Sequence, residues 1–185
     1  MEASYKINQV ELCNWLQKAD HHYLSARLLY LHGLLFSAEE NAGFAIELIL
    51  KSACKNIDAD MKQSHKITKL WESVNPPITL DSFFTEYLEK LENVLYAKHP
   101  DAKEWNEGRS ANDQFDALDY LYLTLRNWLI KSFPVENCIP TELDLAIEGK
   151  SLFNNVVSRH GAWDMGTILK RSNIRYGLLQ KRKTN

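Results

Sequence analysis

The sequence predicts an all-α protein, an antiparallel up-and-down helical bundle of four to five helices with a C-terminal helical extension. Apolar residues recur at alternating spacings of three and four, which places them on one face of a helix. Glycine and proline are scarce, with 7 and 5 among 185 residues, and no segment reads convincingly as a strand. The length suits one domain of ordinary size. We divide the chain into a bundle over residues 1–135 and a helical extension with a basic tail over residues 136–185.

The first predicted helix runs from about Val10 to His32. Its apolar stripe consists of Leu12, Leu16, Ala19, Tyr23, Ala26 and Tyr30. Leu24, Leu28 and Leu31 widen the stripe, which indicates contacts with more than one neighbouring helix. Gly33 can adopt the left-handed conformation that commonly follows a helix end.

The second predicted helix begins at a capping box, in which Ser37 bonds the N–H of Glu40 and the Glu40 carboxylate reaches back. Its core-facing residues are Ala42, Ala45, Ile49, Ala53 and Ile57. Small side chains on this face allow a partner helix to approach closely. The short link of about four residues makes the first two helices antiparallel neighbours.

Prolines bound the remaining predicted helices. A short helix over residues 65–74 precedes Pro76 and Pro77, a longer one follows over residues 80–98, and a strong one over residues 113–132 ends before Pro134. The apolar face of the helix over residues 80–98 consists of Leu80, Phe84, Tyr87, Leu91 and Leu95. The apolar face of the helix over residues 113–132 consists of Phe115, Leu118, Tyr122, Leu125 and Leu129. After Pro140, weaker periodicity predicts helices over residues 141–157 and 164–180. We find no internal repeat.

Charge and cysteine content narrow the functional classes. The net charge of −2 argues against general electrostatic binding to nucleic acid. A basic tail nevertheless follows Thr167, and we interpret its charges as mostly solvated; it consists of Lys170, Arg171, Arg175, Lys181, Arg182 and Lys183. The three cysteines show no C-x-x-C spacing, so we expect small core residues rather than ligands or disulfides; they are Cys13, Cys54 and Cys138.

The absence of several well-known motifs excludes further functional classes. The sequence has no phosphate-binding glycine loop, no H-E-x-x-H and no G-x-S-x-G, so we expect no cofactor and no metal. No apolar run approaches the ~18 residues needed to span a bilayer, and the polar N-terminus is unlike a signal peptide. We therefore expect a cytoplasmic protein without a membrane partner.

A set of short motifs over residues 10–75 resembles the HEPN domain, a helical module found beside nucleotidyltransferases and in RNA-cleaving toxins. The matching positions are Trp15, Ala19-Asp20, Ala26 and Gly33 on the first helix, Ala45-Ile46-Glu47 and Lys51-Ser52-Ala53 on the second, and His65, Ile67 and Leu70 on the third. The structural motif that this resemblance assigns consists of Trp15, Asp20, Glu47, Lys51 and His65. It implies an antiparallel bundle and a dimer.

Catalytic members of this family resemble metal-independent endoribonucleases that use an Arg, a spacer of four to six residues, and a His on the last core helix. The His moves a proton at the ribose 2′-hydroxyl and the Arg stabilises charge on the phosphate. Here Arg109 and Arg126 lie near that helix, but neither has a His at that spacing. Arg27 and His32 have the spacing on the first helix, where the family does not place it, and we interpret them as a coincidence.

Other polar residues have two interpretations. The stretch Tyr96-Ala97-Lys98-His99-Pro100-Asp101 resembles a polar turn of some HEPN proteins. Together with Arg109, its polar residues Lys98, His99 and Asp101 are candidates for nucleotide or RNA binding, and a solvated turn is the alternative. His65 is expected to pack and cap at a helix start. Glu47 and Lys51, spaced i, i+4, are expected to form a surface or interface ion pair.

Three functions remain open, and the third of them is an unrelated helical adaptor. The first is a non-catalytic HEPN-like module, a homodimer that binds nucleotide or RNA or scaffolds a nucleotidyltransferase partner, in a toxin–antitoxin or similar system. The second is a metal-independent endoribonuclease toxin with a nonstandard Arg/His pair, for which the catalytic candidates are Arg109, His99 and Arg126.

Overall fold

The computed structural model describes residues 2–56, 65–96, 111–133, 135, 138–150 and 165–178. These residues form an all-α helical bundle without strands, as the sequence predicts. The helices are α1 (Glu2–Leu31), α2 (Leu35–Asn56), α3 (Ile67–Val74), α4 (Ser82–Tyr96), α5 (Ala111–Ser132), α6 (Glu142–Ile147) and α7 (Met165–Lys170), followed by a 3₁₀ turn (Tyr176–Leu178).

Helices α1 and α2 form the expected antiparallel pair and make the most extensive helix contact in the described chain. The whole predicted stripe of α1, from Leu12 to Tyr30, is buried. Gly33 follows the helix end with φ 74°, a conformation that a side chain would strain. The predicted start of α1 was wrong, because the helix begins at Glu2.

Helix α2 begins at Leu35, so the predicted capping box is wrong. Ser37 lies inside the first turn, where its carbonyl accepts a bond from Asn41 Nδ2 at 2.8 Å. The predicted core residues from Ala42 to Ala53 are buried. Gly43 marks the closest approach to α4, because a Cβ there would lie 2.7 Å from Leu95 Cγ.

Helix α3 begins two residues later than predicted and is capped from another helix. The Lys66 side chain makes no cap bond. Instead Glu92 on α4 accepts from the Thr68 N–H at 3.0 Å and from the Thr68 hydroxyl at 2.8 Å. This carboxylate satisfies a free donor of the first turn and complements the helix dipole. Asn75, at φ 44°, ends the helix ahead of the two prolines.

Helix α5 agrees with the prediction to within two residues at its start and ends at Ser132. The two helices predicted after it are each interrupted within the described residues. Helix α6 ends at Ile147 because the chain turns through Gly149 at φ 70°, and α7 ends at Lys170 in turns that lead to the 3₁₀ segment. Both short helices pack against α1 and against each other, and the 3₁₀ segment contacts α5.

A disulfide joins Cys13 on α1 to Cys138, 125 residues later. The expectation that both cysteines are unpaired core residues is therefore wrong. α1 and the segment before α6 bring their Cα atoms to 5.3 Å, a separation at which a disulfide is favourable. Cys54 is free and buried, as predicted.

The described helices include none that combines the length and the apolar character required to cross a membrane.

Candidate functional site

The polar centre of the bundle is an eight-residue pattern that occurs twice, once on α1 and once on α5. Residues 20–27 read DHHYLSAR and residues 119–126 read DYLYLTLR. Both have Asp, Tyr and Arg at the first, fourth and eighth positions, which share one helix face. The expectation of no internal repeat is wrong at this scale. In the antiparallel pair, the Tyr and Arg of each copy bond to the Asp of the other; the six residues are Asp20, Tyr23, Arg27, Asp119, Tyr122 and Arg126.

Asp20 accepts bonds from three residues at one end of this centre. Tyr122 Oη donates to Asp20 Oδ1 at 2.6 Å. Arg126 donates from Nε at 2.9 Å and from Nη2 at 3.1 Å. Thr141 Oγ1 donates at 2.5 Å. Arg126 Nη2 also reaches Asp144 Oδ1 at 2.6 Å, and the side chain of Asp20 is fully buried.

Asp119 is the acceptor at the opposite end. Tyr23 Oη donates to its Oδ1 at 2.7 Å, and Arg27 forms a buried ion pair with its Oδ2. Arg27 also donates to two backbone carbonyls of the C-terminal segment, from Nε to Ile168 O at 3.1 Å and from Nη2 to Arg171 O at 2.6 Å. Thr141 and Asp144 thus contact one end of the centre, and Ile168 and Arg171 contact the other.

Burial and ion pairing shift the pKa values of these groups. Burial raises the pKa of Asp119 above its ordinary value, against the opposing effect of Arg27. Burial alone lowers the pKa of Arg126, but the Asp20 and Asp144 carboxylates more than reverse this and raise it. Burial also raises the pKa values of Tyr23 and Tyr122. Arg126 therefore stays charged, and Tyr23 and Tyr122 stay neutral, near neutral pH.

This placement bears on Arg126, a predicted catalytic candidate, and on Arg27, whose spacing with His32 we interpret as a coincidence. Arg27 and Arg126 are both fully buried. Carboxylates and carbonyls accept from Nε, Nη1 and Nη2 of Arg27 and from Nε and Nη2 of Arg126, whereas Nη1 of Arg126 is buried without a hydrogen-bond partner among the described residues. Neither guanidinium can contact an RNA phosphate in this conformation. His32, the residue spaced with Arg27, lies on the exposed side of the α1 end, so the two do not form a pair.

A second buried polar cluster joins α2, α4 and α5. Lys90 Nζ donates to Glu39 Oε1 at 2.7 Å. The Gln114 amide, with its nitrogen toward Glu39 and its oxygen 2.8 Å from Lys90 Nζ, links the two. Burial raises the pKa of Glu39, and Lys90 opposes that shift. Tyr30 and Tyr87 place their hydroxyls 3.5 Å apart nearby on α1 and α4.

The third cluster unites three residues of the family-like motif at the start of α3. Glu47 Oε1 accepts from Lys51 Nζ at 2.5 Å and lies 3.1 Å from His65 Nδ1. Lys51 Nζ is 3.3 Å from the same imidazole nitrogen. The expected ion pair exists, but Glu47 is buried at 5% side-chain exposure rather than on the surface. His65 precedes α3, and its side chain does not pack in the core because it is 61% exposed.

The predicted nucleotide- or RNA-binding residues Lys98, His99, Asp101 and Arg109 lie outside the described residues, as do the last three basic residues of the tail. Trp15 is half-buried on α1. Arg175 of the tail is not simply solvated, because its Nε and Nη2 each donate to the Asp116 carboxylate at 2.8 Å. Within the described residues no group of three or more His, Cys, Asp or Glu side chains is arranged to hold a metal ion.

Comparison of the chain with protein-family models, with curated proteins and with solved structures finds no match.

The sequence contained a signal for the centre that helical periodicity alone does not reveal. Asp119 and Arg126 interrupt the apolar face of α5 at a separation of seven residues, and Asp20 and Arg27 do the same on α1. Comparison of these two interruptions would have indicated that they pair across antiparallel helices. Asp144 and the carbonyls of Ile168 and Arg171 carried no such signal, because their positions depend on the tertiary path of the chain.

Proposed function

We propose that this protein is a non-catalytic HEPN-like helical module that binds nucleotide or RNA, or scaffolds a partner protein such as a nucleotidyltransferase. One observation carries the proposal. Arg27 on α1 and Arg126 on α5 are fully buried and form ion pairs inside the chain. A catalytic arginine must reach the charge that develops on the substrate, and these two do not.

The conformation of the family-like motif supports a binding role in a second way. Glu47 and Lys51 on α2 contact His65, which precedes α3. Asp20 of the same motif accepts bonds from Tyr122 and Arg126 on α5 and from the Thr141 hydroxyl. The motif therefore stabilises the bundle and leaves one polar group, His65, at the surface.

A homodimer is part of the proposal, although the surface that supports it differs from the one expected. The wide stripe of α1 is covered within the chain, since Leu24 is buried and Leu31 packs against the core. The exposed large apolar side chains at the α1–α2 turn and on α2 are instead Leu34 at 56%, Phe36 at 46% and Phe44 at 37%. Exposed apolar residues of this kind favour a contact with a second copy or a partner.

The test combines a binding measurement with a cleavage assay on the full chain. Nucleotide and single-stranded RNA are titrated in the presence of a metal chelator, and the RNA is afterwards analysed for strand breaks. We expect saturable binding or capture of a nucleotidyltransferase partner, no cleavage, and no arrest of growth on overexpression. Metal-independent cleavage that is abolished by His99→Ala or Arg109→Ala would overturn the proposal in favour of an endoribonuclease.

The dimer is tested separately by sedimentation at tens of micromolar. We expect a mass of two chains for the natural protein and a shift towards one chain for Phe36→Ser/Phe44→Ser. A matched control is Leu31→Ala, which shortens a side chain packed inside the bundle rather than one at the exposed surface. A strict monomer at that concentration would remove the homodimer from the proposal.

A further inference from the structure

We infer that the disulfide between Cys13 and Cys138 is a redox switch that controls the access of solvent to Arg126, at one end of the polar centre. In the oxidised chain the disulfide keeps residues 138–147 against α1. Reduction releases this segment and exposes the Arg126 guanidinium, while the rest of the bundle stays folded. This inference is independent of the proposed function, because it concerns the closure of the centre and assumes no ligand.

Two short stretches of chain connect the disulfide to the polar centre. Asp20 lies seven residues after Cys13 on α1, which is about two helical turns. Thr141 lies three residues after Cys138, and its hydroxyl donates to Asp20 Oδ2 at 2.5 Å. The cross-link and this hydrogen bond therefore join α1 to the same segment at two nearby points, and loss of the first leaves the second to hold the segment with its neighbours.

The segment over residues 138–147 has a small apolar contact surface of its own. Apart from Cys138, its buried apolar side chains are Leu143 and Ala146, whereas Ile139 is 81% exposed. Helix α6 has six residues, well below the ~12–15 at which an isolated helix becomes stable in water. A short element with few buried apolar contacts opens locally at low cost, so the covalent bond to α1 is decisive for its position.

Arg126 itself favours the open state. Its Nη2 donates to Asp144 Oδ1 at 2.6 Å in the closed state, but its Nη1 is buried without a hydrogen-bond partner among the described residues. An unsatisfied buried donor costs free energy, and water satisfies it once the segment leaves. Arg126 Nε still donates to Asp20 in the open state, because these two residues lie on α5 and α1.

The opposite end of the centre lacks a comparable cross-link. There Arg27 donates to the carbonyls of Ile168 and Arg171, and residues 165–178 contain no cysteine. Reduction therefore acts on the Arg126 end and leaves the contacts of Arg27 in place. The two arginines thus provide an internal comparison between a redox-dependent and a redox-independent closure.

A dithiol reductant balances the reaction. Cys13 is half-buried and Cys138 is 5% exposed, so one thiolate of the dithiol attacks Cys13 Sγ. The S–S bond breaks, its electron pair leaves on Cys138 Sγ, and this thiolate takes a proton from water. The second thiolate of the dithiol then displaces Cys13 Sγ, which is protonated in turn. The protein disulfide gains two electrons and two protons, and the dithiol becomes a disulfide.

Cys54 is the other cysteine near this end of α1. It lies at a similar level of the α1–α2 pair, because Lys55 Nζ is 3.2 Å from Glu11 Oε2. Burial raises the pKa of the Cys54 thiol, so little thiolate is present to exchange with the disulfide. Cys54→Ser is therefore a matched control that removes a thiol without removing the switch.

The experiment compares the full chain before and after dithiothreitol without denaturant, and again after reoxidation with oxidised glutathione. Amide hydrogen exchange and modification of arginine by phenylglyoxal are both located by peptide mass spectrometry. We expect reduction to accelerate exchange over residues 141–147 and modification of Arg126 by roughly tenfold or more. Modification of Arg27 and exchange in α2 and α4 should stay unchanged, and reoxidation should restore the first pattern.

Variants assign the effect to the cross-link. Cys13→Ser/Cys138→Ser should show the reduced pattern both with and without dithiothreitol, whereas Cys54→Ser should respond like the natural protein. Near-ultraviolet circular dichroism verifies the fold of each variant. The reduced natural protein provides the same comparison without any substitution.

Three results would overturn the switch. The first is a disulfide that resists dithiothreitol unless denaturant is added. The second is complete reduction, verified by mass spectrometry of alkylated thiols, that leaves residues 141–147 and Arg126 as protected as before. The third is exposure of Arg27 and α2 together with Arg126, which would mean that the disulfide supports the whole bundle rather than one end of its centre.

Discussion

Tyr23 and Tyr122 stack face to face in the centre of the bundle, with ring centroids 4.3 Å apart and planes at 10°. Each hydroxyl reaches past the other ring to the aspartate of the opposite helix, Tyr23 to Asp119 and Tyr122 to Asp20. The two bonds are 2.7 Å and 2.6 Å long. The stacked pair lies between two oppositely oriented Asp–Arg pairs, so α1 and α5 are related by an approximate twofold arrangement of side chains.

This relationship predicts that two substitutions far apart in sequence lower the free energy of unfolding by nearly equal amounts. Tyr23→Phe and Tyr122→Phe each keep the stacked ring and remove one hydrogen bond to a buried carboxylate. We expect each to lower the free energy of unfolding by roughly 1.5–3 kcal/mol, the range for hydrogen bonds to charged groups. Urea unfolding followed by circular dichroism provides the measurement.

The control for this pair is Tyr120→Phe on α5. Tyr120 is half-buried outside the centre, with Phe84 and the Arg175 guanidinium against its ring, so loss of its hydroxyl should change stability little. The reciprocal arrangement would be contradicted if Tyr23→Phe and Tyr122→Phe lowered the free energy of unfolding by unequal amounts, one of them near zero.

The fold was predictable from the sequence because helices depend on local spacing. The stripes of α1 and α5 were predicted residue by residue, and their burial follows from the apolar periodicity that the chain needs in order to form a core. A helix end was predictable only where the conformational preference of a single residue marks it, as the left-handed conformation of Gly33 does. The start of α2 was not, because the Leu34 carbonyl accepts from the Ala38 N–H at 3.0 Å and the helix begins at Leu35, ahead of the Ser37 capping signal.

The candidate site was less predictable because its contacts join distant segments. Glu47 and Lys51 were recognised as a pair, but helical spacing does not indicate their contact with His65, which lies 14 residues after Lys51 and 18 after Glu47. The disulfide between Cys13 and Cys138 requires a close approach that spacing in sequence does not encode. Arg126 was expected near a reaction centre on family resemblance, whereas Asp20 and Asp144 on two other segments enclose it.

The disulfide predicts a stability that depends on oxidation. Cys13→Ser/Cys138→Ser, or reduction of the natural protein, removes a cross-link that closes a very long loop in the unfolded chain. We expect the free energy of unfolding to fall by roughly 2–5 kcal/mol. The comparison is urea unfolding with and without reductant.

The matched control for the disulfide is Cys54→Ser, since Cys54 is a free, buried thiol. Its stability change should be the same in both conditions. A natural protein whose unfolding midpoint is unaffected by complete reduction, verified by mass spectrometry of alkylated thiols, would argue against a structural cross-link between α1 and the segment before α6.

Glu39 predicts a specific pH dependence. Burial raises its pKa above the ordinary value of 4.5, and Lys90 only partly opposes this. The folded state therefore holds the Glu39 proton more tightly than the unfolded state, so this residue's contribution to stability decreases as the pH rises from about 4.5 through its folded pKa. The stability of the natural protein relative to Glu39→Gln should fall across that window and then level off.

Thermal unfolding of the natural protein and of Glu39→Gln at several pH values from 4.5 upward measures this difference. Glu72→Gln makes the same change of charge at an exposed position on α3 and corrects for the overall charge. A difference that instead grows as the pH rises would mean that the folded pKa of Glu39 lies below its ordinary value.

The C-terminal segment predicts the outcome of truncation. A chain that stops at residue 135 loses the Thr141 hydroxyl and the Asp144 carboxylate at one end of the polar centre, and the Ile168 and Arg171 carbonyls at the other. Arg27 and Arg126 would then be left with unsatisfied donors or exposed to water. Each unsatisfied buried group costs roughly 1–3 kcal/mol, and four such losses are comparable to the whole stability of an ordinary domain. We therefore expect the 1–135 chain to lack a cooperative unfolding transition and a fixed near-ultraviolet circular dichroism spectrum.

A chain ending at residue 178 is the control, because it retains all of these contacts and should unfold cooperatively. Thr141→Val/Asp144→Asn in the full chain separates the polar contacts from the bulk of the segment. This pair should destabilise the protein while preserving a single transition, because Asp20 still binds Arg126. The prediction would be contradicted if the 1–135 chain unfolded cooperatively at the same midpoint as the full protein. The contacts that Thr141, Asp144, Ile168 and Arg171 make with the polar centre would then contribute nothing to stability.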